Sequence, residues 1–325
     1  MKIYISRSHN PFYNIATENW LFYNTKQTDP IIYFWQNKPC IIIGRTQNPW
    51  RECEITQANK DKVPILRRLS GGGAVYQDLG NINYTIITPN NENSKKYGFS
   101  IILELLKNLN IGKIILDKND ILVETKCKRY KVSGNAFRKI KNRYLHHGTL
   151  LINTDLSRLN RYLHHPLDTT LKTTGVHSNR SNVINLKSIN QNLCVIKVIN
   201  EFIKENRWSS IDYLPINLSH EKITQEITIL KSHEWRFNKT FCFSKCITVG
   251  TSRVKLTVNY GRIVQIEERS STNQKCYDNA CNWINSKKPT YDKNSFRYQD
   301  SFTKEDLKLI YHLYGIVPDL EMQKI

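Results

Sequence analysis

Apolar positions along the chain fall into short strand-length runs and two longer helical stripes. Runs at Ile31–Trp35 and Cys40–Ile43 predict strands, and Ile82–Thr88 alternates with period two, as a sheet strand does. From Phe99 to Leu109, Ile101, Ile102, Leu105, Leu106 and Leu109 share one helical face, and Gly112 follows as a stop. A second amphipathic stretch runs from Leu193 to Ile203. Strands interspersed with helices predict a mixed α/β or α+β domain over roughly the first 240 residues. The tail has its own pattern. Arg253–Val258 and Arg262–Glu267 flank Asn259-Tyr260-Gly261 as a hairpin. Thr303 and Asp306 read as a capping box that opens a helix through Leu307, Ile310 and Leu313, with Gly315 and Pro318 ending it. This predicts a catalytic-sized domain over 1–244 and a small α+β domain over 245–325.

Length and charge narrow the function classes. The chain has 325 residues, 39% of them hydrophobic, enough for a packed core. No window approaches the ~18 consecutive apolar residues of a membrane span, and the N-terminus has no signal-peptide pattern; the expectation is a cytoplasmic protein with no membrane partner. Lys and Arg number 48 against 28 Asp and Glu, a net charge of +20. Such an excess points to a polyanionic partner. The chain also holds 34 Asn and 38 Ile but only 5 Ala, a bias toward AT-rich codons that raises Lys everywhere. Local distribution of charge is therefore more informative than its sum. Eight cysteines lack the leader and regular spacing of a disulfide framework. The pairs Cys242/Cys246 and Cys276/Cys281 are looser than the C-x2-C of zinc sites, so reduced packing residues and no protein-bound metal are expected.

Three segments carry candidate chemistry. In Arg67-Arg68-Leu69-Ser70-Gly71-Gly72-Gly73-Ala74-Val75-Tyr76-Gln77, successive glycines expose backbone N–H groups and let the chain wrap closely around an anion. The two arginines are candidate partners for phosphate or carboxylate. The loop is neither a Walker A sequence nor a dinucleotide fingerprint. In Lys131-Val132-Ser133-Gly134-Asn135, a lysine beside an expected Ser-Gly turn can meet a developing negative charge; Asp120 is placed to hold its ammonium or to meet a magnesium-bound phosphate. In His146-His147-Gly148-Thr149, adjacent histidines on a strand point to opposite faces, so they do not share a metal. One is expected near the site and one at the surface.

Together and in this order, RRLSGGGAVYQDLGN, NDILVETKCKRYKVSGNAF and HHGTLLINTDLSRLNRYL resemble the lipoate–protein ligase A family. Ile43–Trp50, Asn10–Asn14 with Glu18, and His233–Phe237 fit the same pattern, and the tail is similar to the accessory domain of the bacterial two-domain type. The resemblance implies an α+β fold: a biotin/lipoate-ligase-like catalytic domain with a small C-terminal α+β accessory domain. It implies ATP, with Mg2+, and lipoate as ligands, and a two-step reaction. Lipoate attacks the α-phosphorus to give lipoyl-AMP and pyrophosphate; a lysine of a lipoyl-domain acceptor then takes the acyl group. The implied acceptors are dehydrogenase E2 subunits and the glycine cleavage H protein. By resemblance Lys131 is the catalytic cation and a contact to both lipoate and ATP, while Arg68, Gly73, Ala74, Val75 and Tyr76 contact ATP. Where relatives often carry His, this chain has Gln77, which donates hydrogen bonds but cannot titrate.

Two other functions compete. A lipoyl or octanoyl transferase of the same fold would need an activated thiolate, for which Cys127 among Lys126, Lys128 and Arg129 is the candidate. A non-catalytic nucleic-acid binder would use residues 126–143, which hold eight Lys/Arg and no acid. No nucleic-acid-binding motif accompanies that stretch, and no nucleic-acid partner is expected. The same charges suit an acidic acceptor domain, the kind of partner the family serves.

Overall fold

A computed structural model describes residues 2–25, 29–126, 128–163, 170–205, 211–214, 221–250, 252–270, 276–291 and 299–314. Its strands are β1 (Lys2–Ser6), β2 (Ile31–Trp35), β3 (Cys40–Ile43), β4 (Ile65–Arg67), β5 (Val75–Gln77), β6 (Asn81–Pro89), β7 (Lys113–Asp117), β8 (Asp120–Thr125), β9 (Lys128–Ile140), β10 (Arg143–Leu151), β11 (Leu171–Thr173), β12 (Ile211–Leu214), β13 (Phe243–Val249), β14 (Ser252–Asn259) and β15 (Arg262–Ser270). Its helices are α1 (Pro11–Asn24), α2 (Pro49–Glu52), α3 (Ile55–Lys60), α4 (Ser94–Asn108), α5 (Leu156–Leu163), α6 (Val195–Glu205), α7 (Glu221–Lys231), α8 (Asp278–Lys287) and α9 (Lys304–Tyr314). None is long and apolar enough to cross a membrane. The chain divides into two compact units: Met1–Arg45, Glu52–His164 and Val176–Ser232; and Thr46–Arg51, His165–Gly175 and His233–Ile325. The second unit thus takes in the short segments Thr46–Arg51 and His165–Gly175, and its main stretch starts at His233.

The first unit is built on a mixed sheet in the order β12-β1-β2-β6-β10-β9-β8-β7. Strands β12, β1 and β2 run parallel, and the ladder is antiparallel from β2 onward. Buried on both faces, β2 reads IIYFW with no polar position. The alternation of β6 has a different cause. Ile82, Tyr84 and Ile86 enter the core against Phe99, Ile102, Leu105 and Leu106 of α4 and Val198 and Phe202 of α6. On the opposite face Asn81, Asn83 and Thr85 are buried as well. Period two here separates a core face from a polar interior face, with no solvent face.

Local signals explain the element boundaries. Helix α1 begins where the Asn10 side chain accepts the N–H groups of Phe12 (3.0 Å) and Tyr13 (3.4 Å), with Pro11 in the first turn. Helix α4 starts at Ser94, earlier than its apolar stripe, because its first turn is polar. Asn110 and Gly112, both at positive φ (51° and 90°), end it. A second, three-stranded sheet in the order β4-β3-β5 carries the apolar CIII run of β3. The expected Ser133-Gly134 turn does not exist: both residues lie inside β9. The ladder shifts there instead, since Leu122 faces Lys131 while Ile121 faces Ser133, leaving Val132 as an extra residue.

The second unit is an antiparallel sheet in the order β11-β13-β14-β15 with α8 and α9. Tyr260 and Gly261 both take positive φ (46° and 72°), as a two-residue hairpin turn demands. The capping box is formed: Thr303 Oγ1 accepts Asp306 N–H (3.1 Å), and Asp306 Oδ2 accepts Thr303 N–H (2.9 Å). Trp50 packs on Phe237, Phe243 and Tyr291, which ties the segment Thr46–Arg51 into this core. The expected helix stops Gly315 and Pro318 lie outside the described residues.

Candidate active site

A cleft of about 310 Å³ opens within the first unit. Its walls come from α1 (Ile15, Glu18), β2 and β3 (Trp35, Ile42), the glycine loop, the β7–β8 turn, β9, β10 and the segment Val176–Asn179. Of the residues expected at the site, Arg68, Gly73, Ala74, Val75 and Lys131 line it; Tyr76 does not. The Tyr76 ring is buried against Tyr162 in the core beneath the small sheet.

The two arginines have separate tasks. Arg67 is fully buried and donates to the carbonyls of Gly44 (3.3 Å) and Arg45 (2.8 Å), so it braces the chain beneath the loop and does not reach the cleft. That corrects the expectation of two anion-binding arginines. Arg68 lines the cleft, yet its guanidinium is largely committed. Nε donates to Ser70 Oγ (3.0 Å), Nη1 to Ile42 O (3.2 Å), and Nη2 to Gly71 O (2.6 Å) and Gly73 O (2.8 Å). Burial lowers Arg68 to about 10, opposed by the charge of Glu18, so it stays cationic at neutral pH. The loop it grips turns at Gly72 (φ +84°), and a Cβ on Gly44 would strike the Gly72 carbonyl.

Lys131 stands on β9 at the bulge. Its ammonium is 2.9 Å from Asp120 Oδ1, and both side chains are one-fifth exposed. The lysine stem runs over Gly134, where a Cβ would crowd Cε and Nζ. A bulge and a glycine therefore aim Lys131 into the cleft, and Asp120 tethers it.

His146 and His147 do point to opposite faces, but neither is at the surface. His147 lines the cleft between Glu18 (Nδ1 to Oε1, 2.8 Å) and Ser70 (Nε2 to Oγ, 2.6 Å). His146 is fully buried among Tyr84, Phe99 and Phe137, and burial lowers it to about 3. It is a neutral packing residue. Among the described residues no group of three or more His, Cys, Asp or Glu is placed to hold a metal.

Other polar contacts were not signalled by any single motif. Gln77 donates to Asn83 Oδ1 (2.7 Å) and accepts from Asn37 (2.8 Å), which in turn accepts from Asn14 (2.9 Å). Ser178 Oγ accepts the Ala74 N–H at 2.9 Å and hydrogen-bonds Glu52, whose carboxylate also takes Ser178 N–H at 3.1 Å. One amide of the glycine loop is thus already engaged. The long sequence separation of Glu52, Ala74 and Ser178 hides this contact from any local pattern.

The basic stretch 126–143 is less free than its composition suggests. Besides the Lys131 pair, Arg129 pairs with Glu124 (3.3 Å). Arg138 donates to Leu69 O (2.8 Å) and Tyr23 Oη (2.7 Å). Arg143 donates to Leu21 O and Phe22 O at the end of α1. Lys128, Lys139 and Lys141 are exposed. Cys127 lies outside the described residues. Buried Cys40 and Cys53 have thiols pushed up by desolvation, and the described cleft wall contains no cysteine.

Solved structures share this architecture. The P. falciparum LipL1 in complex with lipoate superposes with a TM-score of 0.61 at 27% identity, covering 97% of this chain and 99% of that one. A lipoate-protein ligase A bound with ATP gives 0.55 at 23% identity, over 72% and 97%. The fold is therefore the α+β fold of lipoate-ligating enzymes. The profile of the "Lipoyl protein ligase A/B catalytic domain" matches residues 10–207. Lipoate-protein ligase A of Blochmanniella floridana is 36% identical over 252 residues, 75% of this chain and 74% of its own. The chain belongs to the lipoate–protein ligase A family.

Proposed function

We propose that the protein activates lipoate with ATP and transfers the lipoyl group to a lysine of lipoyl-domain acceptors, dehydrogenase E2 subunits and the glycine cleavage H protein. The observation that carries this is the Asp120-tethered Lys131 ammonium in one cleft with the glycine loop. Lipoate and ATP are both anionic, so bringing them together requires a fixed cation where charge develops. Lys131 supplies it in both steps: opposite the α-phosphate as the carboxylate attacks, and opposite the adenylate carbonyl as the acceptor amine attacks. The backbone of Gly73, Ala74 and Val75 lies at the cleft wall, where a nucleotide would meet it, and displacing Ser178 would release the Ala74 N–H as a donor. Arg68 acts chiefly by shaping that loop, with its charge at the cleft wall. Ile15, Trp35, Ile42 and Ala136 give the apolar slot an acyl tail needs. The ligand-bound relatives described above, one with lipoate and one with ATP, support both ligands here. Magnesium would enter with the nucleotide, held mainly by phosphate oxygens; Asp117 and Asn119, at the cleft wall around the β7–β8 turn, would add oxygen donors.

We further propose that catalysis belongs to the unit carrying the cleft and that the second unit, which contains residues 245–325, is accessory. No nucleophilic side chain is required, because the adenylate is itself an activated acyl group. The test is pyrophosphate release on mixing protein, ATP and lipoate without acceptor. Stoichiometric release is expected. No release, with acyl transfer from a carrier protein instead, would overturn the ligase in favour of a transferase.

A further inference from the structure

We infer that His147 is a positioning residue for the glycine loop, acting through an ordered chain of hydrogen bonds from Glu18 to Arg68; the inference rests on the ATP-dependent reading above. Glu18, His147, Ser70 and Arg68 come from α1, β10 and the loop after β4, and all are at most 9% exposed. The carboxylate of Glu18 only accepts. It takes the Thr85 hydroxyl at 2.5 Å and His147 Nδ1 at 2.8 Å. Those bonds assign His147 as the Nδ1–H tautomer, so Nε2 accepts the Ser70 hydroxyl hydrogen at 2.6 Å. Ser70 Oγ then keeps a lone pair for Arg68 Nε at 3.0 Å.

Every donation therefore runs one way, from a buried cation at Arg68 to a buried anion at Glu18. Arg68 spends its other nitrogens on Ile42 O of β3 and on Gly71 O and Gly73 O, the carbonyls that flank Gly72. A carboxylate on α1 thus sets the loop across three hydrogen bonds. The same three residue types form the serine–histidine–carboxylate nucleophile of acyl-transfer enzymes. Here Ser70 is 2% exposed, is absent from the cleft wall, and is occupied by Arg68. That arrangement fits positioning and not attack.

Two substitutions at His147 separate the two ends of the chain. Asn places its amide nitrogen near the Nδ1 position, so His147→Asn keeps the Glu18 bond and loses Ser70. Gln places its amide near Nε2, so His147→Gln keeps an acceptor for Ser70 and abandons Glu18. The full-length variants are compared by hydrogen–deuterium exchange over residues 70–76, by unfolding midpoint, and by KM for ATP. His147→Asn and Ser70→Ala should each speed exchange of the loop and raise the KM for ATP about tenfold, the scale of one charge-assisted hydrogen bond. Effects on kcat should be smaller. The double variant should be no worse than either single one. His147→Gln should restore loop protection and KM while lowering the unfolding midpoint. Wild-type loop exchange in His147→Asn, Ser70→Ala and the double variant would overturn the inference. So would a covalent acyl group on Ser70, lost with all turnover in Ser70→Ala. Wild-type pyrophosphate release scores the parent reading separately, since loop exchange needs no substrate.

Discussion

Lys131 and Asp120 hold each other at 2.9 Å in a half-wet cleft, so the pair is worth more as geometry than as stability. Removing the ammonium while keeping bulk, in Lys131→Met, should lower adenylate formation ~100- to 1000-fold, the usual cost of one electrostatic stabiliser. Asp120→Ala should cost less, about tenfold, since it frees the cation without deleting it; pyrophosphate release measures both. His146 makes a prediction about acid. Its folded pKa of about 3 lies below the ordinary 6.5, so the unfolded chain binds the extra proton between those values. Stability should be complete above pH 6.5 and fall by up to about 1.4 kcal/mol per pH unit below it. Urea midpoints measured from pH 7 to pH 5 should drop in the wild type and flatten in His146→Gln. The residue pair HH was legible as two faces of a strand. That both faces are interior was not, because burial of β10 depends on α4 and on the cleft, far away in sequence.

Helix α4 shows how packing overrides intrinsic preference. Ala normally favours a helix interior over Gly by about 1 kcal/mol. At Gly98 a Cβ would strike the His146 ring. Gly98→Ala should therefore destabilise the protein, by about 1–3 kcal/mol of overpacking, read as a lower urea midpoint at unchanged slope. The hairpin of β14 and β15 and the Thr303–Asp306 cap were legible because each is decided by two or three neighbouring residues. Strand β9 was not. Its Lys-Val-Ser-Gly run carries turn residues, and a bulge against β8 absorbs them into the sheet.

At the scale of the molecule, much of the positive charge around Lys131 and the glycine loop is spent inside the fold. Arg67, Arg68, Arg138 and Arg143 each donate to backbone carbonyls inside the fold, and Lys131 and Arg129 are paired. The charge left for a partner in the stretch 126–143 includes exposed Lys128, Lys139 and Lys141. If these meet an acidic acceptor domain, Lys139→Glu with Lys141→Glu should raise the KM for acceptor severalfold, more at low salt, and leave the KM for ATP unchanged. An unchanged acceptor KM would remove these lysines from the docking surface. Arg138 is unsuitable for that test, because its reversal would also break the bond to Leu69 O.

Local chemistry in the sequence determined the family, the glycine loop, Lys131 as the candidate cation and most helix and hairpin signals. Each is encoded in residues close together along the chain, where backbone freedom, capping and periodicity act directly. Only the tertiary structure decided what the arginines do, where the two histidines sit, and that Glu18, Ser70 and His147 form one chain. The Glu18–His147 and His147–Ser70 contacts span 129 and 77 residues, and Arg67 and Arg68 reach carbonyls 23 and 26 residues upstream. Such contacts exist only once the sheet and its helices have closed around the cleft.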